Sequence, residues 1–177
     1  IGWNWPNKKL VYNLSAPMQC GKTQTTLSAI LKIIKSKKYQ DDNFYLIWYI
    51  STADNGLLDK TKNDLVEFFR KNCRGDVEED SSSIEIHRDN GSSIEIRIIH
   101  NLTSQRVKDE IVGTFQQISH SSSIMKILVF DESDQAIAND SNKHAFLASL
   151  INEEEPYSRE AMSKRLSCKI LELNVSA

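Results

Sequence analysis

The sequence predicts an α/β fold: a mostly parallel sheet covered by helices on both faces, with one inserted β-hairpin. Three observations carry that expectation. Short runs such as Phe44–Ile50 and Ile124–Phe130 are almost continuously apolar, as strands buried on both faces are. Segments with apolar residues at three/four spacing lie between such runs, as crossover helices do. Alternating residues flank Asp89-Asn90-Gly91, a hairpin turn signal.

Taken in order, Leu10–Leu14 reads as a strand, and Thr23–Ser36 as a helix with Leu27, Ile30, Leu31 and Ile34 on one stripe. Phe44–Ile50, aromatic and β-branched, is a second strand. Leu57–Arg70 is a second amphipathic helix with Leu57, Leu58, Leu65, Phe68 and Phe69 apolar. Ile84–His87 and Ile94–His100 are the hairpin strands. Val107–Ile118 is helical, Ile124–Phe130 a strand, Ala145–Asn152 a helix and Ile170–Val175 a last strand. Arg74–Ser83 and Asn152–Tyr157 are expected to be mobile loops.

Size and charge bound the function. A chain of 177 residues, 40% hydrophobic and 26% charged, suits one domain with a real core. Lys plus Arg number 22 against 24 Asp plus Glu, a net of −2. That excludes a basic nucleic-acid coat or a polybasic membrane binder, but not a local basic patch. Three cysteines, an odd number, argue against a disulfide scaffold and for a reducing, intracellular compartment. No apolar run approaches the roughly 18 residues of a membrane span, so no membrane partner is expected. The start at Ile1 and the apolar end Ile170–Ala177 suggest one lobe, residues 1–177, cut from a longer protein. His87, His100, His120 and His144 show no ligand spacing, and no zinc is expected.

The first strand runs into Ser15-Ala16-Pro17-Met18-Gln19-Cys20-Gly21-Lys22-Thr23, and a helix follows. The phosphate-loop pattern is G-x-x-x-x-G-K-S/T, and here Ala16 replaces the first Gly. In such a loop, successive N–H groups converge on the β- and γ-phosphates and the helix N-terminus adds partial positive charge. Gly21 lets the backbone approach, Lys22 brings a mobile charge, and Thr23 offers a hydroxyl to Mg²⁺. Ala16, Pro17, Met18, Gln19, Cys20, Gly21, Lys22, Thr23 and Gln24 are thus the candidate nucleotide-binding residues. The plainer alternatives are a chance G-K-T before a helix and a buried structural thiol at Cys20.

The strand Ile124–Phe130 ends in Asp131-Glu132-Ser133-Asp134. Asp131 is the candidate second Mg²⁺ ligand, and Glu132 the candidate base that orients water. Open α/β sheets bind ligands at the carboxyl ends of strands. The alternative is a helix N-cap, which Asp and Ser also favour. The two motifs together, in this order, point to ATP with Mg²⁺, and Lys22, Asp131 and Glu132 are the candidate catalytic residues.

Ala16–Thr23 resembles motif I of superfamily-two helicases, Asp131–Asp134 resembles their DExD motif II, and Val175-Ser176-Ala177 resembles the start of motif III. The resemblance implies the first RecA-like lobe of a helicase or translocase, a P-loop NTPase spanning nearly the whole chain. It departs from the family at Gln19, where Gly is usual, at Ser133, where Ala is usual, and in having no clear upstream glutamine motif. Finer similarity runs to ATPase domains linked to restriction endonucleases and to viral replication helicases.

The resemblance also implies roles. Asp134 would link the two sites through hydrogen bonds, and Ser176 would couple phosphate release to a second lobe. Ser51, Thr52, Asn55 and Thr103 would touch a nucleic-acid backbone, DNA ahead of RNA, through hydroxyls and amides. Capping of the Leu57–Arg70 helix competes for Ser51–Asn55. Trp3 or Trp5 would stack on adenine or fill the core. Two other readings stand beside this one: a viral DNA-packaging ATPase, and a nucleotide-gated module that is not a motor.

Overall fold

The computed structural model describes residues 11–17, 21–51, 54–131 and 137–176, with side chains except at 137–140. Trp3 and Trp5 lie outside the described residues. The elements run β1 (Val11–Ser15), α1 (Lys22–Ile34), β2 (Asn43–Ile50), α2 (Asn55–Asn72), β3 (Gly75–Glu79), β4 (Ser83–Arg88), β5 (Ser93–His100), α3 (Gln105–Ile118), β6 (Ile124–Asp131), α4 (Ile137–Ile151), α5 (Arg159–Ser167) and β7 (Ile170–Ser176). No helix among them is long and apolar enough to cross a membrane.

One seven-stranded sheet has the order β1-β7-β6-β2-β5-β4-β3. The first five strands in that order are parallel, and β4 and β3 are antiparallel additions. The continuous apolar runs explain the centre: seven of the eight residues of β2, and seven of β6, are buried. Period-two alternation sorts them between two cores. Phe44, Leu46, Trp48 and Ile50 pack with Leu27, Ile30 and Ile33 of α1 and Leu65 and Phe69 of α2. Tyr45, Ile47 and Tyr49 point the other way, to Ile111 and Phe115 of α3 and Phe146 and Leu147 of α4. Each fully buried Leu, Ile or Phe contributes about 1.5–3 kcal/mol, so both helical layers are held chiefly by this sheet.

Two elements were not expected, and α4 begins eight residues before the helix read at Ala145–Asn152. The segment read as a loop at Arg74–Ser83 contains β3, paired with β4 from Gly75↔Arg88 to Glu79↔Ile84. Only Val77 of β3 is even half-buried, so the strand carries no apolar alternation to read. Its acidic residues suit a solvent-facing edge. Gly75 is fixed there by contact: φ is +133°, and a Cβ would lie 2.0 Å from the His87 carbonyl oxygen. The pairing also sets His87 Nε2 3.8 Å from Glu78 and 3.7 Å from Glu85, an exposed cluster not suggested by histidine spacing in the sequence.

The second missed element is α5, where Ala161 and Arg165 are the buried residues. Its legible signals were Ser158, which caps Ala161 N–H at 3.0 Å, and charges ordered along the helix dipole, with Glu160 early and Lys164 and Arg165 late. The preceding segment, read as mobile, is anchored where Arg165 Nη2 donates to the Pro156 carbonyl at 2.6 Å.

Polar groups are buried as well. Lys126, 0% exposed on β6, donates to the carbonyls of Ser119 (2.9 Å), Ser121 (3.1 Å) and Cys168 (2.8 Å). It therefore ties down the chain just past α3 and α5. Burial pulls its pKa from the ordinary 10.5 to about 8. Between these values the unfolded chain holds the proton and the folded chain releases it, so this group's contribution to stability rises with pH; below pH 8 its desolvation cost is fully present. The stability of wild type relative to Lys126→Met is expected to improve by up to roughly 3 kcal/mol from pH 8 to 10.5. Urea denaturation of both proteins across that range measures it, and a difference that stays flat refutes it.

Candidate functional site

The carboxyl ends of β1, β7, β6, β2 and β5 share one edge of the sheet. From β2 the chain steps outward to β5, then returns across β2 to β6 and continues to β7. The reversal opens a switch point between β2 and β6 at their carboxyl ends, where open α/β sheets bind ligands.

The phosphate-loop candidates begin at that edge. Ala16 N–H donates to the Ser176 carbonyl at 3.2 Å, so β7 fixes the first residue of the candidate loop. Pro17 follows, exposed. Met18, Gln19 and Cys20 lie outside the described residues. Gly21 caps α1 with φ +73° and ψ 30°. A Cβ there meets no atom within 4 Å, so glycine is required for its left-handed backbone and not for space. Lys22 and Thr23 are half-buried in the first turn, with Gln24 exposed. Among the described residues no side chain caps this N-terminus, and no acidic residue occupies its first turn. Its amides and partial positive charge suit an anion.

Asp131 ends β6 at the same edge. With β7 between them, the ends of β1 and β6 lie two strand spacings apart, about 9.5 Å. Asp131 is 7% exposed, and its Oδ2 accepts the indole N–H of buried Trp48 at 3.2 Å. A buried donor of this kind fixes the direction of a ligating carboxylate. The sequence reading missed Trp48, which looks like one more apolar residue of β2. The donor set of Thr23 hydroxyl and Asp131 carboxylate is oxygen only, as Mg²⁺ prefers. Glu132 and Asp134 lie outside the described residues. Ser176 is placed beside Ser15 by strand register.

The residues expected to touch nucleic acid are mostly engaged within the fold. Ser51 is 2% exposed; its N–H donates to the Asp131 carbonyl at 3.1 Å and its carbonyl accepts from Asn101 Nδ2 at 2.6 Å. Its hydroxyl is buried too, so in this structure Ser51 offers no exposed surface for the contact expected of it. Thr52 lies outside the described residues. The helix-capping alternative applies at Asp54, whose Oδ1 accepts from Gly56 N–H (2.8 Å) and Leu57 N–H (3.2 Å). Asn55 Oδ1 pairs with His100 Nε2 at 2.9 Å. His100 Nδ1 accepts from Leu102 N–H at 3.0 Å, so the ring proton sits on Nε2 and is donated to Asn55. Thr103 Oγ1 accepts from His100 N–H at 2.9 Å.

These groups form a polar layer across the ends of β2, β5 and β6. Tyr49, whose hydroxyl burial pushes up to about 12, donates to Asn101 Oδ1 at 2.6 Å. Lys108, pulled below its usual value by burial, donates to the Asn101 carbonyl at 2.8 Å. Beyond this layer, Leu102 stands 71% exposed at the tip of the turn after β5.

No protein-family model matches the chain, and no curated protein matches it. Among solved structures, the large terminase ATPase domain of Thermus phage P74-26 aligns with 94% of this chain at 8% identity and a TM-score of 0.49. The chain spans 58% of that domain's length. Tomato leucine aminopeptidase aligns over the full chain and 34% of its own length, at 9% identity and a TM-score of 0.34. Likenesses at these levels bear on neither the fold nor the function, which rest on the residues and geometry above.

Proposed function

We propose that this chain is a P-loop ATPase of RecA-like fold, working as the first motor lobe of a superfamily-two helicase or translocase. One observation carries the reading: Gly21-Lys22-Thr23 opens a helix with no side-chain cap among the described residues, at the edge where Trp48 fixes the Asp131 carboxylate. The motif resemblance supplies the class. In this reading Lys22 and the loop amides hold the triphosphate of ATP, Thr23 and Asp131 hold Mg²⁺, and Glu132 orients the attacking water. Bound Mg²⁺ supplies charge neutralisation at the phosphates. Asp134 and Ser176 relay the nucleotide state, and a nucleic-acid backbone, DNA ahead of RNA, stimulates turnover.

The arginine that stabilises transition-state charge comes from a second lobe in this reading, as partners supply it elsewhere. The 177-residue chain is therefore expected to bind ATP–Mg²⁺ yet release phosphate slowly, with or without single-stranded DNA. Phosphate release beside equilibrium nucleotide binding tests this. Fast turnover by the chain alone overturns the need for a second lobe, and absence of nucleotide binding overturns the ATPase reading.

A further inference from the structure

The opposite edge of the sheet holds an open cavity of about 780 Å³. Its walls come from the ends of α1 and α2, the α2–β3 link and the turn between β4 and β5. Five cations line it, Lys35, Arg70, Lys71, Arg74 and Arg88, against one carboxylate, Asp89. None of the five makes an ion pair within the described residues. In a chain whose net charge is −2, that is a strong local excess of positive charge.

Helix ends account for part of it. The C-termini of α1 and α2 present about half a negative charge each, which answers roughly one of the five cations. Asp41 and Asp42 act on Arg88 but do not line the cavity. Arg88 is set most firmly. Its guanidinium lies over the Phe44 ring at 5.6 Å and donates Nη2 to the Asp42 carbonyl at 2.6 Å, while its buried Nε has no hydrogen-bond partner. Burial pulls this guanidinium below its usual value despite the opposing pull of Asp41 and Asp42, the cost of a partly desolvated cation that makes no ion pair among the described residues. Three of the five are arginines, whose planar forks match phosphate oxygens two at a time. No aromatic side chain among the described residues lines the cavity, so they offer no platform there for stacking a base.

We propose that this cavity is a second anion site that takes a ligand bearing adjacent phosphate groups, bound through phosphate and not through bases. The eight residues of β2 span about 26 Å between the two edges, so the site is separate from the loop after β1, and the proposal does not depend on the ATPase reading. The phosphates have two sources, free polyphosphate and a nucleic-acid backbone.

The test titrates tripolyphosphate by calorimetry and a labelled oligothymidylate by fluorescence anisotropy, both at low salt. Wild type, Lys22→Ala and the double variant Arg70→Gln/Arg74→Gln are compared. Arg70 and Arg74 are exposed, so an unchanged urea midpoint is expected to show that the double variant is folded. The double variant is expected to lose tenfold or more in affinity, about 1.4 kcal/mol or more, with a shallower salt dependence. Lys22→Ala is expected to lose only tripolyphosphate bound at the loop after β1 and to keep the binding that depends on Arg70 and Arg74. Binding of tripolyphosphate that displaces the oligonucleotide assigns free polyphosphate as sufficient; cavity-dependent binding of the oligonucleotide alone assigns the backbone. If neither probe binds, or the double variant binds both as tightly as wild type, the proposal is overturned.

Discussion

Arg165→Met is expected to destabilise the chain by about 3–5 kcal/mol. Arg165 and Glu172 are both 0% exposed, with Nη1 and Oε2 3.0 Å apart. The pair attracts by charge without hydrogen-bond alignment, and Arg165 Nε and Glu172 Oε2 have no hydrogen-bond partner. Glu172 Oε1 does accept from Asn174 Nδ2 at 3.1 Å, and the Asn174 amide also reaches Asn13 (3.0 Å) and accepts from Lys143 Nζ (2.7 Å). Removing the guanidinium leaves a carboxylate in the core beside β7 with no opposite charge at 3.0 Å. Against a total stability of about 5–15 kcal/mol, that is a large fraction.

The double variant Arg165→Met/Glu172→Leu removes both charges and is expected to recover most of the loss, because a buried ion pair adds little over well-packed apolar residues. Urea denaturation of wild type, both single variants and the double variant closes the cycle. Additive losses, with no recovery, show that the pair does not act as a unit.

Lys22→Ala is expected to weaken ATP–Mg²⁺ binding by about 10- to 100-fold or more, since a hydrogen bond to a charged group contributes about 1.5–3 kcal/mol. The same change is expected to shift stability by no more than about 0.5 kcal/mol. Lys22 is half-buried at the first position of α1, and alanine is the best helix former. Nucleotide affinity and the urea midpoint, measured on one preparation, separate a lost ligand contact from a damaged fold. Unchanged affinity would remove the loop assignment, and with it the roles given to Thr23 and Asp131.

The centre of the fold was legible because burial on both faces leaves continuous apolar runs in β2 and β6, with α1 and α2 striped beside them. The edges were not. β3 is solvated almost throughout, so no hydrophobic period marks it, and α5 buries only two of its nine residues. At the site, Gly21, Lys22 and Thr23 were readable as local sequence because the loop, its cap and its helix are contiguous. Trp48 was not, because its partner Asp131 lies 83 residues away and only the parallel register of β2 and β6 joins them. Ser51, singled out by its place in the family resemblance, is buried, because the polar layer over β2, β5 and β6 joins its backbone to Asn101 and Asp131, partners distant in sequence. The basic cavity gathers residues from α1, α2, β4 and the links beside them, and no short window of sequence contains it.

The hydrogen bond between Asn13 and Asn174 joins residues 161 apart, and β1 pairs with β7 alone among the described strands. Closing so long a loop is entropically slow, and contacts of this separation form late in folding. On the ribosome, β2, β5 and β6 emerge and can zip together while β1 still lacks a neighbour. Of the described strands, the earliest in the chain is thus seated by the latest, and the loop it carries gains its Ala16–Ser176 tether only then. Assembly of the candidate nucleotide edge is therefore a late checkpoint: a chain stalled before β7 would have much of its core and no anchored phosphate loop.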